Sequence, residues 1–109
     1  MQKIALEEHF LTANLIEHWR STLTNISADL GDKALGALMD FGSRRLDSMD
    51  RNGIAYAVLS ISGPGVQIEP DAGKAVRFAR EANDLLAAEI QKAPRRYGGL
   101  AHVAATRWC

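Results

Sequence analysis

Apolar residues along this chain gather into three short blocks, separated by longer stretches with helical spacing. The first block, Ile4-Ala5-Leu6, runs into Glu7-Glu8-His9-Phe10; the second is Ile54-Ala55-Tyr56-Ala57-Val58-Leu59-Ser60; the third begins at Gly98-Gly99-Leu100-Ala101-His102-Val103. Near-continuous apolar runs of this length predict strands buried on both faces, as in a parallel sheet. Between the first two blocks the signals are weaker. Asn14 is placed to cap a short helix carrying Leu15, Ile16 and Trp19, and Asp32 another carrying Leu35, Leu38 and Met39. Ser43 caps a firmer helix with Leu46, Met49 and Asp50 at helical spacing, and Asn52-Gly53 ends it. Asp71 caps the longest helix, to about Lys92, with a core stripe of Ala72, Val76, Ala79, Asn83, Leu86 and Ile90. Pro94 stops it. Asn83 interrupts that stripe, and a buried amide needs partners, so it is expected to tie the helix to a neighbouring loop.

Strand, helical excursion, strand, helix, strand is an α/β order, and each crossover is long enough to make neighbouring strands parallel. Right-handed crossovers then bring the carboxyl ends of all three strands to one edge, where α/β sheets bind ligands. Glu7 and His9 sit at that edge. Two residues apart on a strand, they share a face with Cα atoms roughly 6.6 Å apart, at about 3.3 Å per residue, and Glu8 turns the other way. A carboxylate and an imidazole so placed can close on one divalent ion. Taken alone, such a triplet more often describes a strand that simply ends in solvated polar residues.

The loop leaving the second strand, Ile61 to Gln67, contains Ser62-Gly63-Pro64-Gly65. It lacks the Lys-Ser/Thr that would follow the glycines of a phosphate cradle, so spacing alone reads it as a turn. His102 is near the same sheet edge, where a packed core histidine is a better description than a third ligand. His18, beside Trp19 on a short helix, stays outside the site.

Charge and composition narrow the classes. The 109 residues carry 13 basic and 13 acidic side chains, with no basic cluster beyond Arg44-Arg45 and Arg95-Arg96, which read as solvated faces. No nucleic-acid or membrane footprint is indicated. The single cysteine, Cys109, forms no disulfide framework or cysteine-based zinc site, which fits a reducing compartment, and no signal peptide or membrane span is visible. The expectation is a cytoplasmic protein.

The run Lys3 to Phe10, then Leu59-Ser60 with Gly63-Pro64-Gly65-Val66-Gln67, then Ala82-Asn83-Asp84 with Pro94-Arg95-Arg96-Tyr97 resembles the amidohydrolase-related aromatic acid decarboxylases of the γ-resorcylate, 2,3-dihydroxybenzoate and salicylate type. The likeness spans about Lys3 to Val103. It implies part of a (β/α)8 TIM-type barrel, a divalent metal (zinc or manganese), Glu7 and His9 as metal ligands, and Ser62, Gly63 and Pro64 as pocket wall. The implied activity is non-oxidative loss of carbon dioxide from an ortho-hydroxybenzoate, a small aromatic hydroxy acid. A complete barrel takes roughly 250 residues, so residues 1–103 correspond to its opening portion, three parallel strands with crossover helices. The family's further metal-binding histidine, its proton-donating aspartate and other substrate contacts would lie beyond them. The segment 104–109 diverges from the family and reads as a truncation or frameshift, with Ala104 to Cys109 unpacked and Trp108 exposed. The chain alone is then expected to be inactive, and oligomeric or aggregation-prone. The alternatives are a hydrolase of the amidohydrolase type, or a non-catalytic module that pairs its third strand with another copy or a full-length homologue.

Overall fold

The computed structural model describes residues 2–104. A strand β1 (Lys3–Phe10) is followed by a 3-10 turn (Ala13–Leu15) and three helices, α1 (Ile16–Arg20), α2 (Ala28–Met39) and α3 (Ser43–Arg51). Strand β2 (Ile54–Ile61), helix α4 (Ala72–Lys92) and strand β3 (Tyr97–Gly99) complete the order. The sheet runs β1-β2-β3 with both pairings parallel, so the three carboxyl ends share one edge, as the crossovers predict.

Several caps follow from local chemistry. Asp71 accepts from the Gly73 and Lys74 amides at the start of α4, and Gly53, at φ +69°, turns the chain out of α3. Others differ from expectation. Ser27, not Asp32, caps α2, accepting from the Leu30 amide, so this helix starts a turn earlier than its apolar spacing indicates and Asp32 lies inside it. Ser43 is the first residue of α3 and Gly42 is its cap. Asn14 falls within the 3-10 turn, where its amide donates to Glu81 of α4 rather than capping a helix.

The core is built on one face of the sheet. Ala57, Leu59 and Tyr97 of β2 and β3 are buried with Phe10, Phe41, Met49 and Leu86. A second cluster joins Leu11, Leu15, Trp19 and Val66 to Ala75, Ala79 and Ala82. The buried stripe of α4 is therefore Ala75, Ala79, Ala82 and Leu86, one position round from the expected one, and Val76 is exposed. Small residues there let the helix lie close to the loop after β2.

Burial of the first strand on both faces is not observed. Ile4 and Leu6 are 64% and 69% exposed, because β1 is an edge strand and the described helices all pack on the other side of the sheet. The third strand is also shorter than expected. It ends at Gly99, after which the Leu100 amide still bonds the Leu59 carbonyl, but His102 is drawn away by α4. Ala104, expected to be unpacked, is half-buried against the second cluster; 105–109, and with them the expectation for Trp108, lie outside the described residues.

Candidate metal centre at the carboxyl edge of the sheet

Position on the sheet decides what each polar residue of β1 can reach. Glu8 pairs with Leu59 and so takes the helix side, whereas His9 pairs with Ser60 on the open face. Between Ala5↔Ala57 and Glu8↔Leu59, three steps of β1 stand against two of β2. This is a bulge, and it leaves Leu6 and Glu7 without a β2 partner. Bulges re-aim side chains and increase local twist, which simple alternation along the sequence does not reveal. Glu7 and His9 are both exposed at this end of the strand.

The imidazole of His9 has one neighbour of consequence: Ser60 Oγ lies 3.3 Å from Nδ1. On the other side of the same residue, the Arg45 guanidinium donates to the His9 carbonyl at 2.9 Å and to the carbonyls of Ala37 and Leu38, while its Nε donates to Asp40 O at 2.7 Å. Arg45 is thus a clamp between the end of α2 and the end of β1, not part of a solvated face. Burial lowers its pKa, with Tyr97, Glu8 and Asp40 acting in the opposite direction. Arg96 departs in the same way. It donates to the Ala55 and Ile54 carbonyls and pairs with Asp50 at 2.7 Å, closing the opposite edge of the sheet. Their partners Arg44 and Arg95 are exposed, as expected. Nothing in the sequence separates the clamping arginine of each pair from its neighbour.

The Ser62-Gly63-Pro64 loop is beside this site. The Ser62 amide bonds the Phe10 carbonyl at 2.8 Å, extending the β1–β2 ladder past the strand end and fixing where the loop departs. Its far side is held by His102. His102 Nε2 accepts from the Val66 amide at 3.0 Å, and Asn83 brackets the His102 backbone, accepting from its N–H at 2.7 Å and donating to its carbonyl at 2.9 Å. Gly65 is needed here twice over: its φ is +59°, and a Cβ would strike the His102 ring. His102 is therefore a packing residue with its Nε2 lone pair already used, and burial lowers its pKa. Asn83 performs the tying role that its place in the helix predicts.

His18 is not idle either. Its Nε2 lies 2.9 Å from Oε2 of the buried Glu69, which also accepts from the Asp71 amide. That amide, more than His18 or Lys74, lowers the Glu69 pKa against the opposing effect of burial. This pair fastens α1 to the start of α4, away from the sheet edge.

A carboxylate and an imidazole at one strand end suit a divalent transition ion as part of a ligand set. Among the described residues, no group of three or more His, Cys, Asp or Glu could hold an ion. A cleft of about 580 Å³ runs along β1, bordered by Glu7, Glu8 and His9 and, from the helices, by Leu38, Arg45 and Met49. No described helix is long and apolar enough to cross a membrane.

No family profile matches the chain. A γ-resorcylate decarboxylase from Rhizobium sp. is 38% identical over 95 residues, which is 87% of this chain and 28% of the relative. Among solved structures, a dihydroxybenzoic acid decarboxylase from Polaromonas sp., with bound manganese and the inhibitor 2-nitroresorcinol, superimposes with a TM-score of 0.86 at 35% identity, over 94% of this chain and 30% of that one. A 5-carboxyvanillate decarboxylase from Novosphingobium aromaticivorans, complexed with manganese, gives 0.83 at 33% identity, over 94% of this chain and 34% of that one. The chain spans about three tenths of the length of these relatives. Along nearly its whole described length, its three parallel strands and their helices are similar to part of the TIM-type barrel of amidohydrolase-related aromatic acid decarboxylases.

Proposed function

We propose that this chain carries part of the site of a metal-dependent, non-oxidative aromatic acid decarboxylase. Glu7 and His9 are its share of the ligands for a divalent ion, manganese or zinc, and Ser62, Gly63 and Pro64 form one wall of a pocket for an ortho-hydroxybenzoate. The observation that carries this reading is the meeting of His9 and the Ser62 loop at the carboxyl edge, joined through Ser60 and the Phe10 carbonyl. Support also comes from the similar decarboxylases whose structures contain bound manganese. When bound, such an ion supplies Lewis acidity and a template for the oxygens of the acid. The chain's own residues hold the ligands in place: Arg45 fixes the His9 backbone and the ladder to Ser62 fixes the wall. A cytoplasmic location, consistent with the lone cysteine, belongs to the same proposal, as does self-association through the exposed apolar residues of β1.

Two ligands leave the usual three or four protein donors incomplete, so this chain should bind manganese weakly. Titration followed by the loss of the free-ion paramagnetic signal is expected to show a weak site that His9→Ala and Glu7→Ala each remove. Binding unchanged in both variants overturns the assignment. With γ-resorcylate as substrate the chain alone should release no carbon dioxide, and turnover would show that these residues suffice.

A further inference from the structure

We propose that His102 is a proton-operated latch on the loop after β2, holding Ser62-Gly63-Pro64 in place while its ring is neutral and loosening that loop when the ring is protonated. As regulation of the proposed pocket the inference rests on the reading above, whereas the latch itself stands on geometry. Its key contact has a settled direction. The Val66 backbone N–H can only donate, so His102 Nε2, 3.0 Å away, is the acceptor, and the ring is neutral with its proton on Nδ1. The ring also lies against Gly65, where a Cβ would strike both Nε2 and Cε1. The bearing of the latch is fixed, because Asn83 of α4 holds the His102 backbone at both its N–H and its carbonyl. The ring can turn but its backbone cannot follow the loop.

Protonation turns this contact from attraction to repulsion. An imidazolium donates from both nitrogens, so a proton on Nε2 would face the Val66 N–H, donor against donor. The ring must then leave, uncovering the backbone at Gly65 and Val66. What remains is the Ser62 amide on the Phe10 carbonyl at one end and the buried Val66 side chain at the other, with Ser62-Gly63-Pro64 between them. Gln67 still donates to the Val103 carbonyl at 3.0 Å, which keeps the two segments close enough for the latch to re-form. No charged side chain among the described residues shifts the ring's titration; burial does. On the loop, Glu69 is engaged by His18 and Lys74, and on α4 Glu81 accepts from Asn14 while Arg77, Arg80 and Asp84 are exposed. Tyr56, the ionisable residue of β2, lies over Gly98 instead.

The test is nitrogen-15 NMR of the full chain titrated from about pH 8 to about pH 5, the range in which histidine changes charge. At the upper end the His102 ring should show a protonated Nδ1 and an unprotonated Nε2. As pH falls, the ring signals and the amides of Ser62, Gly63, Gly65 and Val66 should move with one common midpoint, below the ordinary imidazole value of roughly 6.5. In His102→Gln, whose side-chain oxygen reaches as far as Nε2 and accepts at every pH, those amides should keep their neutral-pH positions throughout. In His102→Ala they should resemble the acid form throughout. Loop amides that ignore the ring's titration, or that shift identically in His102→Gln, overturn the latch, and so does unfolding of the whole chain before the ring is protonated. If the loop follows His102 but manganese with γ-resorcylate never perturbs the Ser62 and Gly63 amides at neutral pH, the pocket-wall assignment fails while the latch stands.

Discussion

The two faces of the sheet have similar apolar content and opposite fates. On the helix side, Ala57, Leu59 and Tyr97 are buried against α3 and α4, with Tyr97 donating its hydroxyl to the Phe41 carbonyl at 2.7 Å. On the open face, Ile4 stays largely in solvent, Tyr56 and Val58 are half-buried, and Ser60 and His9 stand at the carboxyl edge. In a closed barrel the corresponding face is filled by side chains from the other strands. The contrast shows that an apolar strand declares a need for cover without saying where the cover comes from. Here cohesion belongs to the helix side, and the candidate chemistry stands on the open side, where polar groups keep access to ligands.

Neighbouring positions on β2 offer the sharpest way to break this comparison. Leu59→Ala should destabilise by about 2–5 kcal/mol, because the fully buried side chain leaves a cavity, whereas Val58→Ala on the open face should cost under about 1 kcal/mol. Urea unfolding measures both, and equal losses would mean that the open face is covered in solution. Tyr97→Phe should follow at about 1–3 kcal/mol, since the Phe41 carbonyl loses its donor inside the core. A change indistinguishable from zero would show water reaching that carbonyl.

A pH effect should come from the contact between His102 and the loop after β2. Burial lowers the His102 pKa below its ordinary 6.5, so the folded state binds fewer protons there than the unfolded chain. Stability from this residue is complete above the unfolded value and is lost as pH falls through the lower folded value. Protonation also removes the acceptor of the Val66 amide. Glu69, whose pKa is lowered chiefly by the Asp71 amide, adds a separate loss further down, within and below the carboxylate range. Thermal midpoints scanned across pH in the wild type and His102→Asn check the upper window, which the variant should flatten.

The smallest expected change is Ile4→Ser with Leu6→Ser, each within about 0.5 kcal/mol because both side chains are already mostly exposed. The same double variant should bind less of an apolar dye and self-associate less. Sedimentation and dye fluorescence read this directly. A large loss of stability would place these residues in a buried interface.

Local chemistry in the sequence determined the element order, the parallel sheet with its strand ends on one edge, the Asp71 cap and the Gly53 exit. These depend on period, capping and turn residues, which act over a few positions. The tying role of Asn83 was equally visible, because a polar group in an apolar stripe needs a partner. What sequence could not settle depends on pairings between distant segments. Alternation along β1 cannot disclose a bulge that arises only against β2, nor can the identical arginines of Arg44-Arg45 and Arg95-Arg96 say which one meets a row of carbonyls. The apolar character of Ile4 and Leu6 could not show that helices would cover the other face alone. Ser60 reached His9, and His102 turned from the sheet edge to the Val66 amide, only once the strands and α4 had fixed their relative positions. Tertiary structure decided these because a hydrogen bond is set by distance and direction in space, and residues 36 or 51 positions apart leave no local trace of either.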